Sequence, residues 1–202
     1  MNAVFLRRLF GGASSDDPAL FGRFLGRQAV YIAQKTVTDY CRVKAGAAES
    51  ELFANADFRA AMRHCRWQVF FAAVSDVAAV AESWLRPHAG ARAERVADAI
   101  ASLAQAALES EPPPEEERSA ALAAREAIPR RLASLLAAPP RPANLLPLAA
   151  EAPLFATLPV HPEQRVGEDA AIRGALRFHI VATQEEMERR FDAPRLAARL
   201  AP

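Results

Sequence analysis

Apolar positions recur three and four residues apart over most of the chain, the spacing of one face of an α-helix. The run Ser14-Ser-Asp-Asp-Pro supplies Asp17 as an N-cap and Pro18 at the first helical position. A helix of about 27 residues should follow, to about Lys44, with Gly46 as its stop. Phe21, Phe24, Leu25, Gln28, Ile32, Lys35 and Thr36 share one face of it, and Val30, Val37 and Cys41 mark a neighbouring one. Apolar groups therefore wrap much of the circumference, as in a helix with several neighbours.

After a connector at 47–56, Asp57 offers a second N-cap, and the pattern predicts a helix over 58–86 with Pro87 following. Phe58, Met62, Cys65, Val69, Ala73, Val77 and Trp84 keep helical spacing, while Trp67, Phe70, Phe71 and Val74 fill other sides. Such a helix belongs at the centre of a fold, with Trp67 and Trp84 as packing residues. A third helix over 91–110 shows a stripe of Val96, Ile100, Leu103 and Leu108. Pro112–Pro114 ends it, and Glu115, Glu116 and Glu117 open a fourth, where carboxylates suit the helix dipole. Leu122, Ile128, Leu132 and Leu135 continue its apolar side, and Pro129 should kink or divide it.

Seven prolines between 139 and 162, mixed with Leu145, Leu146, Leu148, Leu154, Phe155 and Leu158, cannot form one helix and are too apolar for a free linker. They predict an extended strap across a bundle, with a helical turn at 144–150. A last long helix over 168–191 carries Ile172, Leu176, Phe178, Ile180 and Met187. A strand at 176–181 is its rival, disfavoured because it lacks a partner. Asp192-Ala-Pro caps a final short helix. The fold expected is one all-α domain, an antiparallel helical bundle built on a long two-helix hairpin. It divides into an N-terminal amphipathic segment (1–16), a bundle core (17–138), a Pro-rich strap (139–166) and a C-terminal helical segment (167–202).

Composition narrows the function classes. The 202 residues are 51% hydrophobic, with 25 basic and 24 acidic side chains. That balance argues against a nucleic-acid-binding protein. The longest uncharged runs reach only about ten residues, short of a membrane span. Cys41 and Cys65 lack CxxC spacing, and no secretory signal is visible, so reduced thiols and a cytosolic location are expected. Near the N-terminus, Phe5, Leu6, Leu9 and Phe10 flank Arg7 and Arg8. This basic amphipathic stretch, residues 4–10, suits docking on the bundle, on a partner or at a membrane surface.

Catalytic signatures are missing from the sequence: GxSxG, SxxK, a Walker loop, GxGxxG, HExxH and a di-iron ExxH pair. Neither a metal site nor a cofactor is expected. Asp76 interrupts the most apolar run, and a buried carboxylate must be paired or hydrogen-bonded. Lys35, Arg63 and Arg66 are its candidate partners. With Asp39 they predict a polar cluster of Lys35, Asp39, Arg66 and Asp76 between the two long helices, as a fastener of helix register rather than a reacting centre. Arg59, Arg63 and Arg66 form a ridge on the second helix, read either as a solvated face or as a surface for an anionic partner.

Gln34-Lys35-Thr36, Asp39-Tyr40-Cys41-Arg42, Gly46, Cys65-Arg66-Trp67, Phe70 and Asp76 resemble a family of uncharacterised, all-helical proteobacterial proteins, over residues 24–86. Such families sometimes carry a hydrolase or esterase label. The missing GxSxG departs from that chemistry, and no catalytic residue is carried over. The reading these residues favour is a non-enzymatic binding or assembly module acting through a protein partner. The alternatives are a small hydrolase using the polar cluster, and a peripheral membrane protein held by residues 4–10.

Overall fold

The structure, a computed structural model, describes residues 14–202. Among these the fold is all-α. Its helices are α1 (Pro18–Ala45), α2 (Glu49–Ala54), α3 (Ala56–Ala89), α4 (Ala93–Glu109), α5 (Arg118–Leu136), α6 (Glu151–Thr157), α7 (Asp169–Arg190) and α8 (Ala193–Leu200), joined by short 3-10 turns. The disfavoured strand at 176–181 is helix, and the described residues contain no strand, only a single bridge pairing Ser15 with Phe191.

Helix α1 starts and stops where its sequence says. Asp17 accepts from the Ala19 N–H, Pro18 occupies the first position, and Gly46 ends it at φ +51°, a conformation in which a side chain would clash. The long hairpin pairs α1 with α3, and α3 is central, packing against α1 and α4–α8. Val69, Ala73, Val77 and Leu85 of α3 are buried with Phe21, Leu25 and Ile32 of α1. The stretch Ala56–Glu109 even contains a window apolar enough to cross a membrane, which the sequence reading had not expected. In this fold 83% of that window is buried, so it reads as the core helix of the bundle.

Four boundaries differ from expectation. Asn55, not Asp57, caps α3, accepting from the Phe58 N–H. Pro87 lies inside α3's last turn, where it removes a single hydrogen bond. Pro129 does not divide α5: the Arg125 carbonyl, which loses its helical donor to the proline, accepts instead from Gln105 Nε2 of α4 at 3.1 Å. The strap is not extended throughout. It forms a helical turn at Ala143–Leu145 and then α6, where Pro153 sits in the first turn and its missing N–H costs nothing. Leu122 and Phe178, assigned to apolar faces, are 59% and 68% exposed.

Both cysteines are free and buried. Burial pushes the Cys41 thiol up to about 12 and the Cys65 thiol up to about 11. A raised thiol pKa favours the folded state fully below the ordinary value near 9 and loses that contribution as pH rises through 11 and 12. At pH 8 neither thiol should react with iodoacetamide in the native protein, and both should react in denaturant. Rapid native labelling at either position would show that α1 and α3 open locally.

Candidate functional site

Three polar ties join α3 to α5 and the strap. At one end His64 Nδ1 lies 2.5 Å from Glu117 Oε1, and Gln68 Nε2 donates to Glu117 Oε2 at 2.7 Å. At the other, Glu82 and Arg86 pair within α3, and Arg86 donates to the carbonyls of Leu135, in the last turn of α5, and Ala138, just past its end. Between them lies Asp76, 1% exposed. It accepts from Arg131 Nη2 at 2.7 Å and from the N–H groups of Ala149 and Ala150 at 2.7 and 3.0 Å. Burial pushes its carboxyl up, against the pull of the guanidinium and the two N–H donors. Arg131 also reaches Ser75 Oγ and the Pro147 carbonyl. One carboxylate thus fastens three segments: α3, α5 and the strap.

The expected cluster of Lys35, Asp39, Arg66 and Asp76 does not assemble. Lys35 and Asp39 pair with each other at 3.1 Å on α1, both about half exposed. Arg66 lies ten residues before Asp76, about 15 Å along α3. Asp76 turns to the strap, which supplies two N–H donors that no sequence pattern marks. Phe5, Arg7, Arg8 and Phe10 lie outside the described residues. Among the described residues no three His, Cys, Asp or Glu side chains gather in a metal-holding group.

Arg66 instead borders a surface valley. Gly22 and Gly26 bring α1 close to α4: an added Cβ would stand 2.9 Å from Leu103 Cδ2 and 3.1 Å from Ala107 Cβ. The valley along this seam, about 520 Å³, is floored by Gly22, Gly26, Val30, Leu103 and Ala107. It runs on into a hollow of about 220 Å³ lined by Val30, Ala33, Trp67 and Phe70. Arg23 and Arg27 border the first part, Arg63 and Arg66 the second, and Glu111 both. Among the described residues none of the four arginines has a carboxylate in ion-pair range. Residues 1–13 contain no Asp or Glu. Arg59, the third member of the ridge, turns back to the carbonyls of Phe53 and Ala54 and so leaves this surface.

Comparisons with protein-family models, with curated proteins and with solved structures return no match.

Proposed function

We propose that this chain is a helical binding module that acts through a protein partner, and that the α1–α4 valley takes an acidic amphipathic helix of that partner. The observation that carries this reading is the pairing of an apolar floor with four guanidiniums facing the single carboxylate of Glu111. The valley follows α1 from Ala19 to Gln34, about 22 Å or four helical turns. Both long walls are helices whose backbone groups are bonded internally. An occupant must therefore satisfy its own backbone, which a helix does and an extended peptide does not. Acidic side chains on the occupant's flanks would meet Arg23 and Arg27 along one rim and Arg63 and Arg66 at the far end. Rim charges of this kind speed and orient docking, while the floor supplies the affinity.

Fluorescence anisotropy with a labelled 16-residue helical peptide, Leu/Ala on one face and Glu on the flanks, tests the idea. The expected result is binding that weakens with salt and falls about tenfold or more in Arg23→Glu/Arg27→Glu, since two reversed rim charges cost about 1.4 kcal/mol together. Val30→Asp, at a half-open floor position, should do the same with the fold intact by circular dichroism. Equal binding of a Lys-flanked version, or affinity unchanged in both variants, overturns the proposal.

A further inference from the structure

On the opposite side of the strap from its buried face, α6, the turn at 162–169 and the start of α7 enclose an open cleft of about 830 Å³. Three guanidiniums line it, Arg165, Arg173 and Arg177, with the ring of Phe155 among them. The guanidinium carbons of Arg165 and Arg173 stand 5.3 and 5.1 Å from the centre of that one ring. Two like charges converging on one aromatic group repel unless an anion lies between or beside them. Glu151, bonded to Arg173 Nε, neutralises part of this charge, and Asp169 lies on the wall. Three positive groups against two carboxylates still leave an excess of one.

The cleft is also held open. Asp76 and Arg131 pin the wall before α6 through Ala149, Ala150 and Pro147. Tyr40 and Lys44 of α1 hold Glu168 at 2.6 Å each, fixing the turn before α7. Arg177 Nη1 bonds the carbonyls of Ala143 and Leu146. Arg165 Nη2 bonds the Phe155 carbonyl at 2.8 Å, while its Nε is buried with no hydrogen-bond partner. A buried, charged donor left without an acceptor is costly in a folded protein.

We infer that this cleft binds a small organic oxyanion, a carboxylate or phosphate attached to an apolar or aromatic body. The oxyanion is held by the guanidiniums of Arg173 and Arg177, with the positive charge of Arg165 beside them. The body lies against Phe155 and Val166, the latter 81% exposed. Arginine suits this task because its planar fork bonds carboxylate and phosphate in the same geometry and also stacks on rings. The site is separate from the helix-binding valley, and neither depends on the other.

The probes are phenyl phosphate, benzoate, inorganic phosphate and, as the cationic control, benzylamine, titrated into the full chain and followed by heteronuclear NMR. Phenyl phosphate or benzoate should bind in the millimolar range or tighter and shift the amides of 151–155 and 165–177 together with the Arg173 side-chain Nε–H. Whichever binds more tightly identifies the headgroup. Arg173→Ala, at an exposed position, should weaken binding about tenfold, and Arg177→Lys, which keeps a cation near the carbonyls, should weaken it without unfolding the chain. Arg23→Glu should leave it unchanged. Absence of shifts in this region at about 10 mM probe, equal shifts with benzylamine, or unaltered affinity in both cleft variants overturns the inference.

Discussion

Asp76→Ala should destabilise the chain by about 3–5 kcal/mol, the cost of breaking a buried ion pair from one side. The substitution strands three donors. The guanidinium of Arg131, with only 19% of its side chain exposed, loses its carboxylate. The N–H groups of Ala149 and Ala150 lose their acceptor. For a chain of this length the melting temperature should fall by about 10 °C. Asp76→Asn should cost less, because its one oxygen still accepts from the strap. Replacing both partners, Asp76→Leu with Arg131→Met, should cost less than the two single changes added together, since no charge is then left unpaired. A melting temperature within a degree or two of the parent in Asp76→Ala, or strict additivity in the double variant, would contradict the role assigned to this carboxylate. Hydrogen exchange should show the strap from 143 to 157 opening before the rest of the bundle.

The variants also separate the two readings of Asp76 that its sequence permits. A fastener loses stability when removed. A reacting group loses turnover while the fold persists. The geometry favours the first, because every oxygen of Asp76 is taken up by structural donors and the cleft lies beyond the segment it holds.

What the sequence revealed follows from which interactions are local. Asp17, Pro18 and Gly46 act within one helical turn, so both ends of α1 were legible. The start of α3 was misplaced because Asn55 and Asp57 are both good caps two residues apart, and only the backbone decides between them. Helix α6 was missed because Pro153 counted among seven prolines that rule out one long helix, although a proline in a first turn does no harm; Glu151-Ala-Pro carried that signal. The burial of Asp76 was foreseen from its apolar surroundings, but its partners were not. Arg131 is 55 positions away, and the N–H groups of two alanines are chemically anonymous in a sequence rich in alanine. The Glu82–Arg86 pair was not singled out, although its i, i+4 spacing is in the sequence, and its service to the end of α5 depends on how two distant helices meet. Arg63 and Arg66 stood out as a ridge, whereas Arg23 and Arg27 did not. Their meaning comes from the valley that Gly22 and Gly26 create, and two small residues four apart on α1 were the available clue.

Phe21→Ala should be the second severe lesion, costing about 3–5 kcal/mol as a large cavity opens at a fully buried site. Phe21 sits in an aromatic box that joins the start of α1 to the junction of α7 and α8. Its ring centre lies 5.0 Å from Phe191 in an edge-on arrangement, and 6.4 Å from both Phe24 and Trp84. Phe24 also meets Phe191 edge-on at 5.3 Å. The box is closed by backbone bonds from Ser15 to Arg190 and from Asp192 to Ser15, at 2.8 and 2.9 Å. Phe21→Leu should cost markedly less, since it keeps most of the apolar volume and forfeits mainly the ring contacts, about 0.5–1.5 kcal/mol. Denaturant unfolding measures both, and hydrogen exchange should show residues 15–25 and 187–197 loosening together in Phe21→Ala. Loosening of the α1 end alone would mean that the box does not couple α1 to the α7–α8 junction. Because Phe21 faces the core while Arg23 and Gly22 border the valley, acidic-helix binding by the fraction that remains folded should be retained. A stable Phe21→Ala protein that had lost this binding would instead make the box part of the docking surface.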